Sequence, residues 1–214
     1  MVKEIRIYIE GGGDGKNTKD LIRQGFSQLL SPLIELVKSQ RIKWNITICG
    51  SRNNAFRDFK NALKSHPDAF NVLLVDAEAP VTIDSPWRHL KLRDNWDKPS
   101  GVDDSHCHLM VQAMEAWFMA DIETLKKFYG QGFKENAIPK NSNVETLDKD
   151  NLEPSLKAAT RSTSKGEYHK INHASKLLTL LDVAKVRNAS PYCDRLFTTL
   201  TAKMGISTNS PSEE

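Results

Sequence analysis

The chain has 214 residues, with 30 lysines and arginines against 27 aspartates and glutamates, giving a formal net charge of +3. This length is typical of one domain, or of one domain with an added lobe. The composition, 39% hydrophobic and 27% charged, excludes a disordered or fibrous chain. The near-balance of charge does not identify a nucleic-acid-binding protein, because that inference needs basic residues concentrated on one face.

Cysteine usage and hydrophobicity favour a cytoplasmic protein without membrane contact. Cys49, Cys107 and Cys193 are odd in number, widely spaced and without a CxxC pair, which indicates reduced cytosolic thiols. The N-terminal apolar run is short and carries charges, unlike a signal peptide. No stretch approaches the roughly 18 apolar residues that span a bilayer.

The first third of the chain alternates between strand and helix patterns. Residues 3–10 alternate apolar and polar side chains, and residues 44–49 and 72–75 also have strand character. Apolar residues at helical spacing follow the first two strands, in residues 18–36 and 56–63. This order predicts an α/β fold, a parallel sheet flanked by helices.

The rest of the chain predicts one more strand and a largely helical C-terminal part. Residues 80–104 are polar and are predicted to form a long connection over the sheet edge. Residues 108–112 are predicted to form a fourth strand, and residues 114–128 are predicted to form a helix. Short helices are expected beyond residue 153.

Three regions are therefore expected along the chain. Residues 1–130 form the α/β core, residues 131–206 form a helical C-terminal lobe packed on that core, and residues 207–214 form a flexible polar tail.

Three carboxylates follow the ends of predicted strands. Glu10 ends the first, and Asp76 and Glu78 end the third. The carboxyl ends of parallel strands meet at one edge, and the alternation of an extended chain turns Asp76 and Glu78 to the same side. Such carboxylates can bind Mg²⁺ or Mn²⁺, although solvated residues at strand ends are the simpler alternative. Gly11 and Gly12 allow a phosphate to approach the backbone.

These segments resemble the two signatures of Toprim domains, the catalytic modules of topoisomerases, primases and several nucleases. Glu10-Gly11 resembles the first signature, and Asp76-Ala77-Glu78 resembles the second. The segments EGGGD, LLVDAE, HLMVQAMEAWFMAD and KGEYHKINH are similar to a poorly characterised bacterial family of small Toprim-like proteins associated with ATPase-containing antiphage defence loci. The resemblance covers most of residues 3–200 and implies a Toprim-like, Rossmannoid sheet with a helical C-terminal extension.

The resemblance assigns catalytic and metal-binding roles to Glu10, Asp76 and Glu78. Glu78 stands where the usual Toprim motif has a second aspartate, so the carboxylate is one methylene further from the backbone. Glu115 begins the helix after the predicted fourth strand and is a further candidate metal ligand, with a polar helix contact as the alternative.

Basic residues are candidates for binding substrate phosphates. Arg52 follows the second strand, whereas Arg161, Lys165 and Lys170 belong to a basic run in the C-terminal part. If the lobe folds back over the sheet edge, these side chains can contact a nucleic-acid backbone. A solvated helix face is the alternative.

The sequence thus predicts a Mg²⁺-dependent Toprim-like nuclease or phosphodiesterase acting on DNA or RNA. The resemblance implies antiphage defence with an ATPase partner. The sequence also leaves open whether the protein forms a homodimer. The alternatives are a non-catalytic Toprim-fold module that docks on or regulates a partner ATPase, and phosphotransfer to a small molecule.

Overall fold

The computed structural model describes residues 2–13 and 15–205, and within them the chain forms four strands and ten α-helices. The predicted tail, 207–214, lies outside the described residues. The strands are β1 (Glu4–Glu10), β2 (Lys43–Gly50), β3 (Phe70–Asp76) and β4 (Cys107–Met110). The helices are α1 (Lys16–Leu29), α2 (Ser31–Ser39), α3 (Arg52–Ser65), α4 (Pro86–Asp94), α5 (Glu115–Met119), α6 (Ile122–Tyr129), α7 (Lys149–Thr160), α8 (Lys170–Leu180), α9 (Val183–Ala189) and α10 (Pro191–Lys203).

All strand pairs are parallel, and the strand order is β2-β1-β3-β4. Ile7 of β1 lies opposite Ile46 of β2 and Val72 of β3. The predicted α/β class with a parallel sheet flanked by helices is confirmed. Because β1 and β3 are adjacent and parallel, Glu10 and Asp76 end at the same edge of the sheet.

Both faces of the sheet are covered, as a parallel sheet requires. Alternate residues of β1 enter different cores. Ile7 packs in a core with Phe26 of α1 and Leu177 of α8, whereas Tyr8 packs in the opposite core with Phe59 of α3. The C-terminal helices therefore share a continuous core with the sheet.

Helices α1 and α8 pack at close range. A Cβ atom at Gly25 of α1 would lie 2.9 Å from the Ser175 carbonyl oxygen and 2.9 Å from the Leu178 Cβ, both in α8. Any larger residue at position 25 would push the two helices apart.

Three segments differ in detail from the predicted elements. The predicted helix 114–128 is interrupted, because Asp121 caps α6 by accepting a hydrogen bond from the Thr124 N–H at 3.3 Å. The helix containing Pro32 is divided, and the proline lies in the first turn of α2, where its missing N–H is tolerated. The polar excursion 80–104 contains α4. No helix in the described part of the chain is long and apolar enough to cross a membrane.

Candidate metal centre

The carboxylates of Glu10, Asp76 and Glu78 converge at the carboxyl edge of the sheet. One oxygen from each side chain lies within 4.8 Å of the others. Glu10 and Asp76 are the last residues of adjacent strands, and Glu78 follows two residues later. The structure thus brings together three acidic residues from two distant segments, and their oxygens could hold a metal ion.

Glu78 lies two residues beyond the end of β3. The N–H groups of Ala77 and Glu78 still donate to the carbonyl oxygens of Met110 and Gln112, at 2.8 and 2.6 Å. The backbone at Glu78 itself is left-handed, with φ of 65°. The carboxylates of Asp76 and Glu78 converge as the sequence predicts, although position 78 is not extended.

Asp76 is buried, with 6% of its surface exposed. Its Oδ1 accepts a hydrogen bond from the Met114 N–H at 2.8 Å, at the start of the segment leading into α5. Burial raises the pKa of Asp76 to about 8; Lys170 opposes this shift, and the negative charges of Glu10 and Glu115 add to it. A bound cation would relieve this cost by favouring the ionised carboxylate.

Glu10 is held by Arg52 and by the backbone of β3. Its Oε2 accepts from Arg52 Nη1 at 3.1 Å and from the Asp76 N–H at 3.2 Å. Burial raises the pKa of Glu10 although Arg52 opposes it, and the charge of Glu78 adds to the increase. These contacts fix the direction in which the Glu10 carboxylate points.

Arg52 makes four hydrogen bonds to protein groups. Besides Glu10, its guanidinium bonds both carboxylate oxygens of Asp94, at 3.0 and 2.7 Å, and the carbonyl oxygen of Asp76. Its Cζ also lies 5.1 Å from the centre of the Trp96 ring. The structure therefore places this predicted phosphate-binding residue as a support for the acidic cluster.

Glu78 has two basic partners that sequence reasoning missed. Its Oε2 forms ion pairs with Arg93 of α4, at 3.2 Å, and with Lys149 of α7. Both partners lie in segments without a phosphate-binding pattern, so only the tertiary structure identifies them.

Glu115 lies beside the cluster but binds other groups. Its Oε1 accepts from the Tyr168 hydroxyl at 3.1 Å and pairs with Lys170 Nζ, also at 3.1 Å. Desolvation lowers the pKa of Lys170, but the carboxylates of Glu115 and Asp76 outweigh it and raise that pKa. Glu115 is thus not in the group of three converging carboxylates. Sequence reasoning missed Tyr168, although it lies two residues before Lys170.

A cavity of about 560 Å³ opens beside the carboxylates. Its polar walls are formed by Glu10 and Asp76, by the glycine turn Gly11 to Gly13, and by Lys157 and Lys170. The turn is fixed against the end of β2, since the Gly11 N–H donates to the Gly50 carbonyl oxygen at 2.8 Å. Gly11, Gly12 and Lys170, three of the predicted phosphate-binding residues, therefore line one cavity with two of the acidic residues.

Two other predicted basic residues lie outside this cavity. Arg161 is exposed at the end of α7, and the Nζ of Lys165 lies 5.2 Å from the centre of the Phe128 ring. Neither side chain is part of the cavity wall.

Comparison with known proteins identifies the family. Searches of curated proteins and of solved structures gave no match to the chain. Residues 9–201 match the family described as Domain of unknown function (DUF4276). The match includes all three converging carboxylates and the helices that cover the cavity. The chain therefore belongs to the DUF4276 family.

Proposed function

We propose that this protein is a Mg²⁺-dependent phosphodiesterase with a Toprim-like site that acts on DNA or RNA. The observation that carries the proposal is the convergence of Glu10, Asp76 and Glu78 within 4.8 Å beside a cavity. An isolated acidic pair at a strand end is common, but three carboxylates from two segments with basic residues opposite them suit a metal and a phosphate together.

The donor set fits a hard divalent cation. All three candidate ligands are carboxylate oxygens, the ligand type that Mg²⁺ and Mn²⁺ prefer. No described residue donates a hydrogen bond to Oδ2 of Asp76, and the Met114 N–H orients that carboxylate through Oδ1. Glu10, Asp76 and Glu78 would hold the ion, which would polarise a phosphoryl oxygen and acidify a bound water.

The protein groups around the cluster have separable roles in this proposal. Glu10 is oriented by Arg52 and accepts the proton of the attacking water. The ammonium of Lys170, which lines the same cavity, attracts the phosphate. The backbone of Gly11 and Gly12 leaves room for phosphate oxygens because no side chain intervenes.

The choice of a nucleic-acid substrate is supported by the sequence resemblance. The same resemblance supports a role in antiphage defence together with an ATPase partner. This part of the proposal is tested by expressing the chain with its native neighbouring genes, among which the resemblance implies an ATPase, and challenging the cells with phage. Protection that is lost in the Asp76→Asn variant supports the role, and protection that survives this variant contradicts it.

Cleavage of purified nucleic acids tests the activity itself. Single-stranded and double-stranded DNA and RNA are incubated with Mg²⁺, with and without the ATPase partner. Glu10→Gln and Asp76→Asn are expected to lower the cleavage rate by at least about 100-fold. Glu123→Gln, an exposed residue of α6, is the matched control and should leave the rate unchanged. Equal cleavage by the Asp76→Asn variant would overturn the site assignment.

One observation favours a second candidate, a non-catalytic module that docks on or regulates a partner ATPase. The carboxylate of Glu78 is already neutralised by Arg93 and Lys149, and these cations compete with a metal. Mg²⁺ and Mn²⁺ distinguish the two functions, because a bound ion stabilises the folded protein. An unchanged melting temperature at saturating Mg²⁺ and Mn²⁺ would favour the docking module.

A further inference from the structure

We propose that the cavity binds one nucleoside phosphate unit, with the base against its apolar wall and the phosphate at the carboxylates. This inference rests on the proposed function and names its substrate: a free nucleotide or the terminal nucleotide of a strand. Internal positions of an uninterrupted strand are excluded from the site.

The cavity lining combines apolar and charged groups. Five side chains supply its apolar wall: Ile22, Met110, Met114, Tyr168 and Ile171. Met110 and Met114 lie directly beside Asp76, since Met110 is its partner on β4 and the Met114 N–H donates to Asp76 Oδ1 at 2.8 Å. A nucleotide needs both kinds of group, because its base is a flat, largely apolar ring and its phosphate is charged. Methionine side chains adapt to flat ligands, since they are flexible and polarisable.

The size of the cavity suits a small ligand. Its volume of about 560 Å³ lies within the range of about 300–1,000 Å³ that is usual for sites binding small molecules and cofactors. A site for sequence-independent binding of a long strand is instead a groove that follows the phosphate backbone over several nucleotides. The limited volume thus favours a single unit.

The C-terminal helices cover the sheet edge where such a groove would be needed. Glu153 and Lys157 of α7 and Ile171 of α8 line the same cavity as the glycine turn. Tyr168 and Lys170 tie this cover to α5, because both bind Glu115 at 3.1 Å. A continuous strand would have to displace these contacts, whereas a strand end enters without doing so.

Basic groups on the covering helices suit a phosphate. Lys170 and Lys157 line the cavity, and the Nζ of Lys157 lies 2.8 Å from Oε1 of Glu153. His169 lies at the N-terminal boundary of α8 and lines the same cavity. Glu153 balances the charge of Lys157, so Lys170 is the group that offsets the negative charge of Glu10 and Asp76 for an anionic ligand.

Equilibrium binding tests this inference without requiring turnover. The probes are the four ribonucleoside 5′-monophosphates, a short linear single-stranded oligonucleotide, and the same oligonucleotide closed into a covalent circle. Binding is measured with Ca²⁺ in place of Mg²⁺. We expect the mononucleotides or the linear strand to bind at least about tenfold more tightly than the circle. If the mononucleotides bind, the ligand can be a free nucleotide. If only the linear strand binds, the ligand is the terminal nucleotide of a strand.

A variant pair on one helix localises the binding. Ile171 lines the cavity and is 55% exposed, whereas Leu180, at the other end of α8, is 52% exposed and lies outside it. Ile171→Trp adds bulk to the cavity lining and is expected to weaken binding at least about tenfold, and Leu180→Trp should leave binding unchanged. Equal binding of circle and linear strand, or full binding by the Ile171→Trp variant, would overturn the inference. If no nucleic acid is cleaved but a nucleotide binds in this way, the phosphodiesterase activity fails and the nucleotide site stands.

Discussion

The Nζ of Lys170 lies 3.1 Å from Oε1 of Glu115, so the first residue of α8 is tied to the first residue of α5. The Tyr168 hydroxyl donates to the same carboxylate oxygen. Glu115 is only 4% exposed, whereas half of the Lys170 side chain is exposed. The buried carboxylate thus holds the ammonium of Lys170 in place on the cavity wall, and we infer a positioning role for Glu115.

Replacing Glu115 by glutamine tests this role against metal binding. The variant keeps an oxygen for the Tyr168 hydroxyl but loses the ion pair with Lys170. We expect KM for the nucleic-acid substrate to rise several-fold, with a smaller change in kcat and an unchanged affinity for Mg²⁺. Steady-state kinetics and a Mg²⁺ titration measure the two effects. A large loss of Mg²⁺ affinity would instead make Glu115 a metal ligand, as its sequence position predicted.

Asp76 should make the metal-depleted protein less stable in base. Its pKa is raised from 3.8 to about 8, mainly by burial, so the folded chain holds a proton that the unfolded chain releases. Its contribution to the free energy of unfolding is full below pH 3.8 and is lost as the pH rises to about 8. In buffer that contains a metal chelator, at a pH above about 8, the Asp76→Asn variant should therefore be more stable than wild type by more than about 1 kcal/mol. Urea unfolding measures this difference.

The metal should reverse this order of stability. Saturating Mg²⁺ is expected to raise the melting temperature of wild type, because the ion binds the ionised carboxylate of the folded state. Asp76→Asn should show little or no increase. Parallel melting curves with chelator and with Mg²⁺ check both statements, and an equal increase in the two proteins would place the ion elsewhere.

His108 should make the protein sensitive to acid. Arg195 Nη1 lies 3.1 Å from Nδ1 of the His108 ring, and Nε2 lies 3.1 Å from the Ser105 carbonyl oxygen. Since arginine only donates and a carbonyl only accepts, the ring is neutral with its proton on Nε2. Burial lowers the pKa of His108 to about 3, and the charge of Arg195 adds to this shift.

The unfolded chain consequently binds a proton at His108 that the folded chain does not. The free energy of unfolding should fall as the pH drops below 6.5, by up to about 1.4 kcal/mol per pH unit from this residue, until the pH nears 3. His108→Gln removes that component. The free energy of unfolding of both proteins is measured with denaturant from neutral pH to about pH 5. The difference between the two pH dependences gives the contribution of His108. Parallel curves for the two proteins would contradict the neutral ring.

Gly50 should be indispensable to the glycine turn. Its φ is +85°, and a Cβ there would lie 2.7 Å from the Gly13 carbonyl oxygen. Gly101 is the matched control, because its φ is +82° and a Cβ would meet nothing within 4 Å. Both alanine variants should lose about 1 kcal/mol from the left-handed backbone. Gly50→Ala should lose at least about 1 kcal/mol more and should also weaken nucleotide binding. Equal losses would show that the turn can move without cost.

The sequence predicts the parallel sheet and the meeting of Glu10 with Asp76, because both depend on local strand patterns. Strands β1 and β3 have clear strand patterns, and the parallel arrangement places Glu10 and Asp76 at one edge. The left-handed backbone of Glu78 and its hydrogen bond to Gln112 are not visible in a pattern of alternation. Local pattern thus predicts which residues end strands, and tertiary contacts fix the backbone that follows them.

The supporting residues could not be predicted from spacing. The Tyr168 hydroxyl and Glu115 are 53 positions apart in the chain, and Lys149 and Glu78 are 71 apart. Such pairs form because the C-terminal helices pack on the sheet. The break between α5 and α6 occurs at Asp121. Its side chain accepts the Thr124 N–H and so begins a new helix, although the apolar spacing of the neighbouring residues predicts one continuous helix.

The close packing at Gly25 holds helices α1 and α8 together beside the cavity. Helix α1 contributes Ile22 to the cavity lining and α8 contributes Ile171, and a Cβ atom at Gly25 would lie 2.9 Å from the Ser175 carbonyl oxygen of α8. Entry of a ligand by an outward movement of α8 would have to separate these helices and open the core beneath them. We therefore expect the cavity to keep its width when a ligand binds and to admit only ligands that fit that width.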